Sequence, residues 1–207
     1  MKKIDSLTID AIKEVSNIAA GHLSEVVSQL TGKEMSLSVP DSNIVNVKDA
    51  ADTVGGKGAT IVVGYMNVFG DVTGSMVFLM PKKDAIKLTT LILDTDVSPL
   101  MFPSALEKDA LRELVTITGG AFLSAITQFL GVYFAPTSPV ISSFGAFNLL
   151  NFLKTRGGAM EEYESRDIVL VSIKYRVEET ETEGEILMLV GPTILDYLSR
   201  EIAGNEQ

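Results

Sequence analysis

Glu14 and Asn17 stand three positions apart in a stretch of helical periodicity, so a carboxylate and a carboxamide project side by side. The apolar residues Ile12, Val15, Ala19, Leu23, Val26 and Leu30 recur at spacings of three and four, the stripe of a helix packed on a sheet. Asp10, Glu14, Asn17, Gly21 and Ser24 recur at the same period on the opposite side. The two stripes predict one buried face and one exposed face. An exposed polar pair is what any solvated helix face presents, but Gly21 points further. A helix-interior glycine costs roughly 1 kcal/mol relative to alanine. Ala20-Gly21 also leaves the surface beside the pair flat, which suits close docking of another protein.

The pattern occurs twice. Residues 10–33 (DAIKEVSNIAAGHLSEVVSQLTGK) and 109–132 (DALRELVTITGGAFLSAITQFLGV) are identical at seven of 24 positions at a constant offset of 99. The shared residues are Asp10/Asp109, Ala11/Ala110, Glu14/Glu113, Ile18/Ile117, Gly21/Gly120, Gln29/Gln128 and Gly32/Gly131. Several are polar and lie off the apolar stripe, so a common need for a buried face does not account for them. The second copy keeps the carboxylate (Glu113) and the flat patch (Gly119-Gly120) but carries Thr116 where the first has Asn17. A duplicated site, or one site and its degenerate twin, is the expectation.

The elements that position these helices also come in pairs. Pro40 and Pro139 keep the offset of 99 and follow short extended stretches, Ser36–Val39 and Thr137–Ser138. Glycine pairs at Gly55-Gly56 and Gly157-Gly158 mark turns or helix stops. β-branched-rich runs then predict two hairpins, Thr60–Met66 with Ser75–Met80 and Ile168–Val177 with Glu185–Val190. Each second strand meets a proline (Pro81 or Pro192) and a helical pattern, Lys82–Leu93 or Thr193–Ile202. No flexible linker divides the halves; Asp94–Pro103, with two prolines, is the candidate joint. The expectation is a single α+β domain over residues 1–207, with an internal pseudo-twofold repeat of halves at about 1–98 and 99–207. A central, largely antiparallel sheet would carry two long exposed helices bearing the motif copies.

Composition narrows the function classes. A net charge of −10 argues against nucleic acid and anionic lipid as main partners, since both require a basic surface. The absence of cysteine excludes disulfides, thiolate metal sites and a cysteine nucleophile. Met1-Lys2-Lys3 leads into Ile4-Asp5-Ser6 rather than an apolar core, and no apolar run nears the ~20 residues of a membrane span. A cytoplasmic protein is expected. His22, the sole histidine, has no second imidazole or triad partner in the chain and reads as a surface or capping residue. Gly55-Gly56-Lys57-Gly58 lacks P-loop spacing and reads as a turn, and Glu178–Glu185 as a solvated hairpin tip. Met76, Met80 and Met188 fall in strand patterns and read as core. Phe144–Leu153 is strongly apolar, with a weaker counterpart at Val45–Val54, and reads as core or as a partner surface.

The motif Asp10-x3-Glu14-x2-Asn17, with Gly21 four residues on and a second copy, resembles the CheC/CheX/FliY family of response-regulator phosphatases. Length, duplicated halves and hairpin positions are similar to its CheC branch; CheX-type chains are shorter and carry one motif, and FliY has a further flagellar-switch domain. The resemblance implies hydrolysis of the aspartyl-phosphate of the chemotaxis response regulator CheY. It implies that Asn17 orients the attacking water and that Glu14 pairs with a basic group of CheY. Glu113/Thr116 would then be a second, degenerate site, and Asp10, Gly21, Asp109 and Gly120 partner-binding positions. No cofactor of its own and no metal ligand are expected; CheY would supply Mg²⁺. CheD, a receptor-modifying deamidase, is the other partner implied. The alternative within the same resemblance is a non-catalytic binding module that regulates CheD or sequesters phosphorylated CheY.

Overall fold

A computed structural model describes residues 6–46, 54, 56, 58–156, 167–178, 182–190, 194–197 and 200 of the chain. Its elements run α1 (Ser6–Thr31), β1 (Met35–Asn46), β2 (Thr60–Gly70), β3 (Gly74–Pro81), α2 (Lys82–Leu93) and α3 (Ala105–Leu130). They continue with β4 (Phe134–Pro136), β5 (Val140–Gly145), a 3-10 turn at Ala146–Asn148, α4 (Leu149–Arg156), β6 (Asp167–Val177) and β7 (Thr182–Val190). The seven strands form one sheet, and every pairing in it is antiparallel. The fold is a single α+β domain, as the sequence predicts.

The strand order is β1-β6-β7-β3-β2, with β4 and β5 taking successive stretches of the free edge of β2. Exchanging β1 with β4/β5, β6 with β2 and β7 with β3 returns the same order read backwards. The two paired prolines mark the same irregularity in both edges. The β1–β6 register shifts between Ser38 and Asp41, around Pro40. Pro139 lies in the gap between β4 and β5. There Thr137 fills the ladder, its N–H donating to the Asn67 carbonyl at 2.8 Å and its Oγ1 accepting from the Asn67 N–H at 3.1 Å. A proline has no N–H to offer a ladder, so each edge breaks beside it.

Both long helices lie on one face of the sheet. Ile12, Val15 and Leu23 of α1 and Leu111, Val115, Phe122 and Ile126 of α3 are buried. They share a core with Val62, Met66, Phe78, Ile173 and Met188 of the strands. Full burial of side chains of this size contributes roughly 1.5–3 kcal/mol each. Gly64 of β2 lies directly beneath α3, and a Cβ there would come within 2.8 Å of Val115 Cγ2. The opposite face buries Ile61, Val63, Tyr65, Leu79, Leu187 and Leu189 against Ala146, Leu149 and Leu153. Phe144–Leu153 is therefore partly core, while Phe147 within it is 68% exposed. Met76, Met80 and Met188 are buried, as predicted.

Several boundaries differ from the sequence expectation. α3 begins four residues before Asp109 because Ser104 and Glu107 form a capping box, with the Ser104 N–H donating to Glu107 Oε2 at 2.5 Å. Both long helices stop at the shared glycines: Gly32 (φ +66°) and Gly131 (φ +68°) adopt the left-handed conformation that glycine alone reaches without steric cost. β1 is far longer than Ser36–Val39, since Pro40 interrupts its pairing without ending it. β7 starts at Thr182, so the hairpin tip is shorter than Glu178–Glu185. Gly56 (φ +87°) accepts from the Ala59 N–H at 3.0 Å in the expected turn. The Gly157-Gly158 pair, most of the Val45–Val54 stretch and the end of the Thr193–Ile202 helix lie outside the described residues.

The shorter helix α2 is tied to the sheet by Tyr175, whose hydroxyl donates to the Asp84 carbonyl at 3.0 Å. Burial pushes this phenol well above its usual range. Tyr175→Phe is expected to lower stability by about 1 kcal/mol, the net worth of one such hydrogen bond. A denaturant midpoint unchanged from wild type would place α2's anchorage in its apolar contacts instead.

Candidate functional site

The buried stripes of α1 and α3 decide what the other side of each helix presents. On α1, Asp10, Glu14, Asn17 and Gly21 are all exposed. Their spacing of four, three and four keeps them on one outward line, away from Ile12, Val15, Ala19 and Leu23. Ser24, predicted to continue that line, does not: it is half-buried and its hydroxyl donates to the Met35 carbonyl where β1 begins. The helix face is closed there by the incoming strand, so the presented stripe ends at Gly21. Among the described residues, neither Glu14 nor Asn17 makes a hydrogen bond or an ion pair. A carboxylate and an amide one turn apart thus keep their full bonding capacity among the described residues.

The second copy has the same placement but different polar partners. Asp109, Glu113 and Thr116 are exposed and Gly120 is half-exposed. Asp109, however, is engaged by Arg112, which forms an ion pair with it and donates from Nε to the Pro139 carbonyl at 3.3 Å. Thr116 Oγ1 donates to the Arg112 carbonyl at 2.8 Å, one turn back along its own helix. The hydroxyl's one proton is therefore used inside the chain, a common habit of threonine in helices. The two copies differ by more than the Asn17/Thr116 exchange. Arg112 neutralises one acid of the stripe and clips α3 to the edge strand, whereas Lys13 stands at the matching place in α1. Sequence reading overlooked Arg112, although its spacing of three from Asp109 was the available signal.

The glycines separate cleanly. A Cβ added at Gly119 would meet Met66 Sδ at 2.7 Å and Phe78 Cζ at 3.4 Å, so this residue serves the approach of α3 to the sheet. A Cβ at Gly21 or at Gly120 would meet nothing within 4 Å. Neither has a positive φ. The fold itself therefore gives no reason for glycine at these two positions, despite the helix-propensity cost. In sequence Gly21 follows Ala20, and Gly120 falls between Thr118 and Phe122; Ala19, Ala20, Leu23, Thr118 and Phe122 line a cavity of about 10 Å³ between the two helices and the sheet.

Two further features flank or lie outside this surface. His22 is exposed beside Gly21. The joint at Asp94–Pro103 carries Leu100 and Met101, which are 95% and 79% exposed and which the sequence reading passed over. Among the described residues no helix is long and apolar enough to cross a membrane.

Comparison with known proteins finds relatives both in sequence and in fold. The chain is 29% identical over 143 residues to the CheY-P phosphatase CheC of Bacillus subtilis, covering 67% of this chain and 68% of that one. It superimposes on FliY of Thermotoga maritima with a TM-score of 0.77 at 15% identity, over 99% of both chains. FliM of H. pylori, solved with SpeE, gives a TM-score of 0.75 at 9% identity over 99% of this chain and 98% of that one. At such identities the two structures establish the fold alone. No protein-family model matches the chain.

The open space around the two outward glycines has a measurable consequence. Gly21→Ala and Gly120→Ala are each expected to raise stability by about 0.5–1 kcal/mol, because alanine restricts the unfolded chain and favours helix. Gly119→Ala should not share the gain, since Met66 must yield inside the core. Chemical denaturation of the three variants checks this; a loss of stability in Gly21→Ala would show a contact that the backbone geometry does not contain.

Proposed function

We propose that the chain, 29% identical to a CheY-P phosphatase CheC over two thirds of its length, is a member of the CheC/CheX/FliY family and hydrolyses the aspartyl-phosphate of the response regulator CheY. The observation that carries the reading is the exposed Glu14–Asn17 pair, one turn apart on α1 and unengaged among the described residues. Its setting beside a glycine that the fold does not require supports a docked protein as the object of the pair.

Phosphoryl transfer leaves little covalent chemistry to the protein; catalysis is mostly positioning and charge stabilisation. In this proposal the regulator brings the phosphoaspartate, a lysine and Mg²⁺, and α1 brings the missing orientation. The Asn17 carboxamide oxygen accepts from the attacking water while its nitrogen donates to a phosphoryl oxygen. Attack of the water oxygen on phosphorus breaks the P–O bond to the aspartate, frees inorganic phosphate carrying both water protons, and regenerates the carboxylate. Glu14, one turn away, pairs with the regulator's lysine and holds the helix in register. It acts as an anchor rather than a base. The reaction needs no ligand set of the protein's own and would take place in the cytoplasm. Glu113 and Thr116 form the degenerate counterpart, explained by a duplication of the two halves in which α3 retained the anchor and lost the amide.

A second reading draws on the α3 copy, whose polar groups are engaged within the chain. In it the protein holds phosphorylated CheY, or regulates CheD, without turnover. Phosphate release separates the two. CheY charged with a small phosphodonor should lose phosphate faster with catalytic amounts of this protein, and Asn17→Ala should remove at least 90% of that acceleration with little change in stability. Activity within twofold of wild type would take Asn17 out of the mechanism.

Thr116→Asn in the Asn17→Ala background asks whether one amide is all that the second copy lacks. Partial recovery is expected, and it should grow when Arg112→Ala also frees Asp109. No recovery in either variant, measured by the same phosphate release, would mean that the geometry of α3 itself is unsuited to the reaction.

A further inference from the structure

Resting on the docking reading above, we infer that the two motif copies are not independent sites: they share one surface, and one response regulator occupies it at a time. The cavity common to α1 and α3 fixes where the helices meet, between Ser16–Leu23 of one and Thr118–Phe122 of the other. Asn17 lies within the first segment and Thr116 two residues before the second. With a rise of 1.5 Å per residue and an interaxial distance of 8–10 Å, the two motif positions stand no more than roughly 15 Å apart, whichever way the helices run. Both face away from the sheet, because both helices bury their stripes on the same side of it. A folded partner of about 100 residues has a radius of gyration near 13 Å, hence a diameter of roughly 30 Å. Two such bodies, each engaging its own copy through a central phosphorylation site, would overlap.

The glycines fit this arrangement. Gly21 and Gly120 lie one turn beyond Asn17 and Thr116, level with the residues Ala20, Thr118 and Phe122 that line the cavity shared by the two helices. Each is free of intramolecular steric demand. A partner docked through Asn17 therefore rests against Gly120 as well as Gly21, and bulk added to one helix obstructs docking on the other. Independent sites would show no such crosstalk.

The test uses the full chain and CheY carrying beryllofluoride as a stable stand-in for the acyl phosphate. Sedimentation with excess CheY should give one CheY per chain, in wild type and in Thr116→Asn alike. Two per chain would overturn the inference while leaving the docking reading intact; no complex at all would defeat that reading and this inference with it. The second arm is Gly120→Leu in a Glu113→Ala background, where the α3 anchor is absent. Its Cβ enters open space and leucine favours helix, so the melting temperature should not fall below that of Glu113→Ala alone. CheY binding should nonetheless weaken at least tenfold. Unchanged affinity would show that the α1 site does not extend across the junction and would overturn the proposal.

Discussion

The exposed polar stripes of this protein depend on the packing of two long helices on one face of an antiparallel sheet. A helix laid on a sheet has no freedom to choose which residues face outward once its apolar stripe is buried. Ile12, Val15, Ala19 and Leu23 commit α1, and Leu111, Val115, Phe122 and Ile126 commit α3. Asp10, Glu14 and Asn17, and their counterparts Asp109, Glu113 and Thr116, are then exposed by subtraction. Rotating either helix to hide these polar groups would bring several large apolar side chains into water, at a cost that no surface hydrogen bond offsets.

The same packing explains why the small residues of the junction divide into two kinds. Gly119 faces inward, where Met66 and Phe78 leave no room for a methyl group, and its conformational cost is met by close packing. Gly21 and Gly120 face outward into open space. Stability alone would favour alanine there. Sites at which a chain forgoes available stability are where function is to be sought.

The asymmetry between the copies is a matter of hydrogen-bond economy. Both helices display a carboxylate with a polar residue one turn on, yet on α3 the neighbours consume each other: Arg112 takes Asp109, and Thr116 bonds back to the helix. On α1 a lysine replaces the arginine and an amide replaces the hydroxyl. An amide has both a donor and an acceptor to spare, and the helix backbone has no need of either. Similar placement on the two helices therefore leaves different polar groups engaged on each, and the fold by itself does not assign the function.

Sequence alone determined the helices, their buried and exposed faces, the hairpins and the motif pair, because these follow from periodicity and residue type within a few turns of chain. The structure gives the glycines and prolines at the constant offset a shared role that the sequence reading did not assign: Gly32 and Gly131 end the long helices, and the edge pairing breaks beside Pro40 and Pro139. Sequence alone misjudged Ser24, whose hydroxyl is taken by Met35 of β1, and it overlooked Arg112, whose second partner is the Pro139 carbonyl across the fold. It also could not rank the glycines, since Gly119 and Gly120 are neighbours and only the position of Met66 tells them apart. The tertiary structure decided these points because each depends on atoms distant in sequence that the sheet brings into contact. Periodicity records which way a side chain points; only packing records what it meets there.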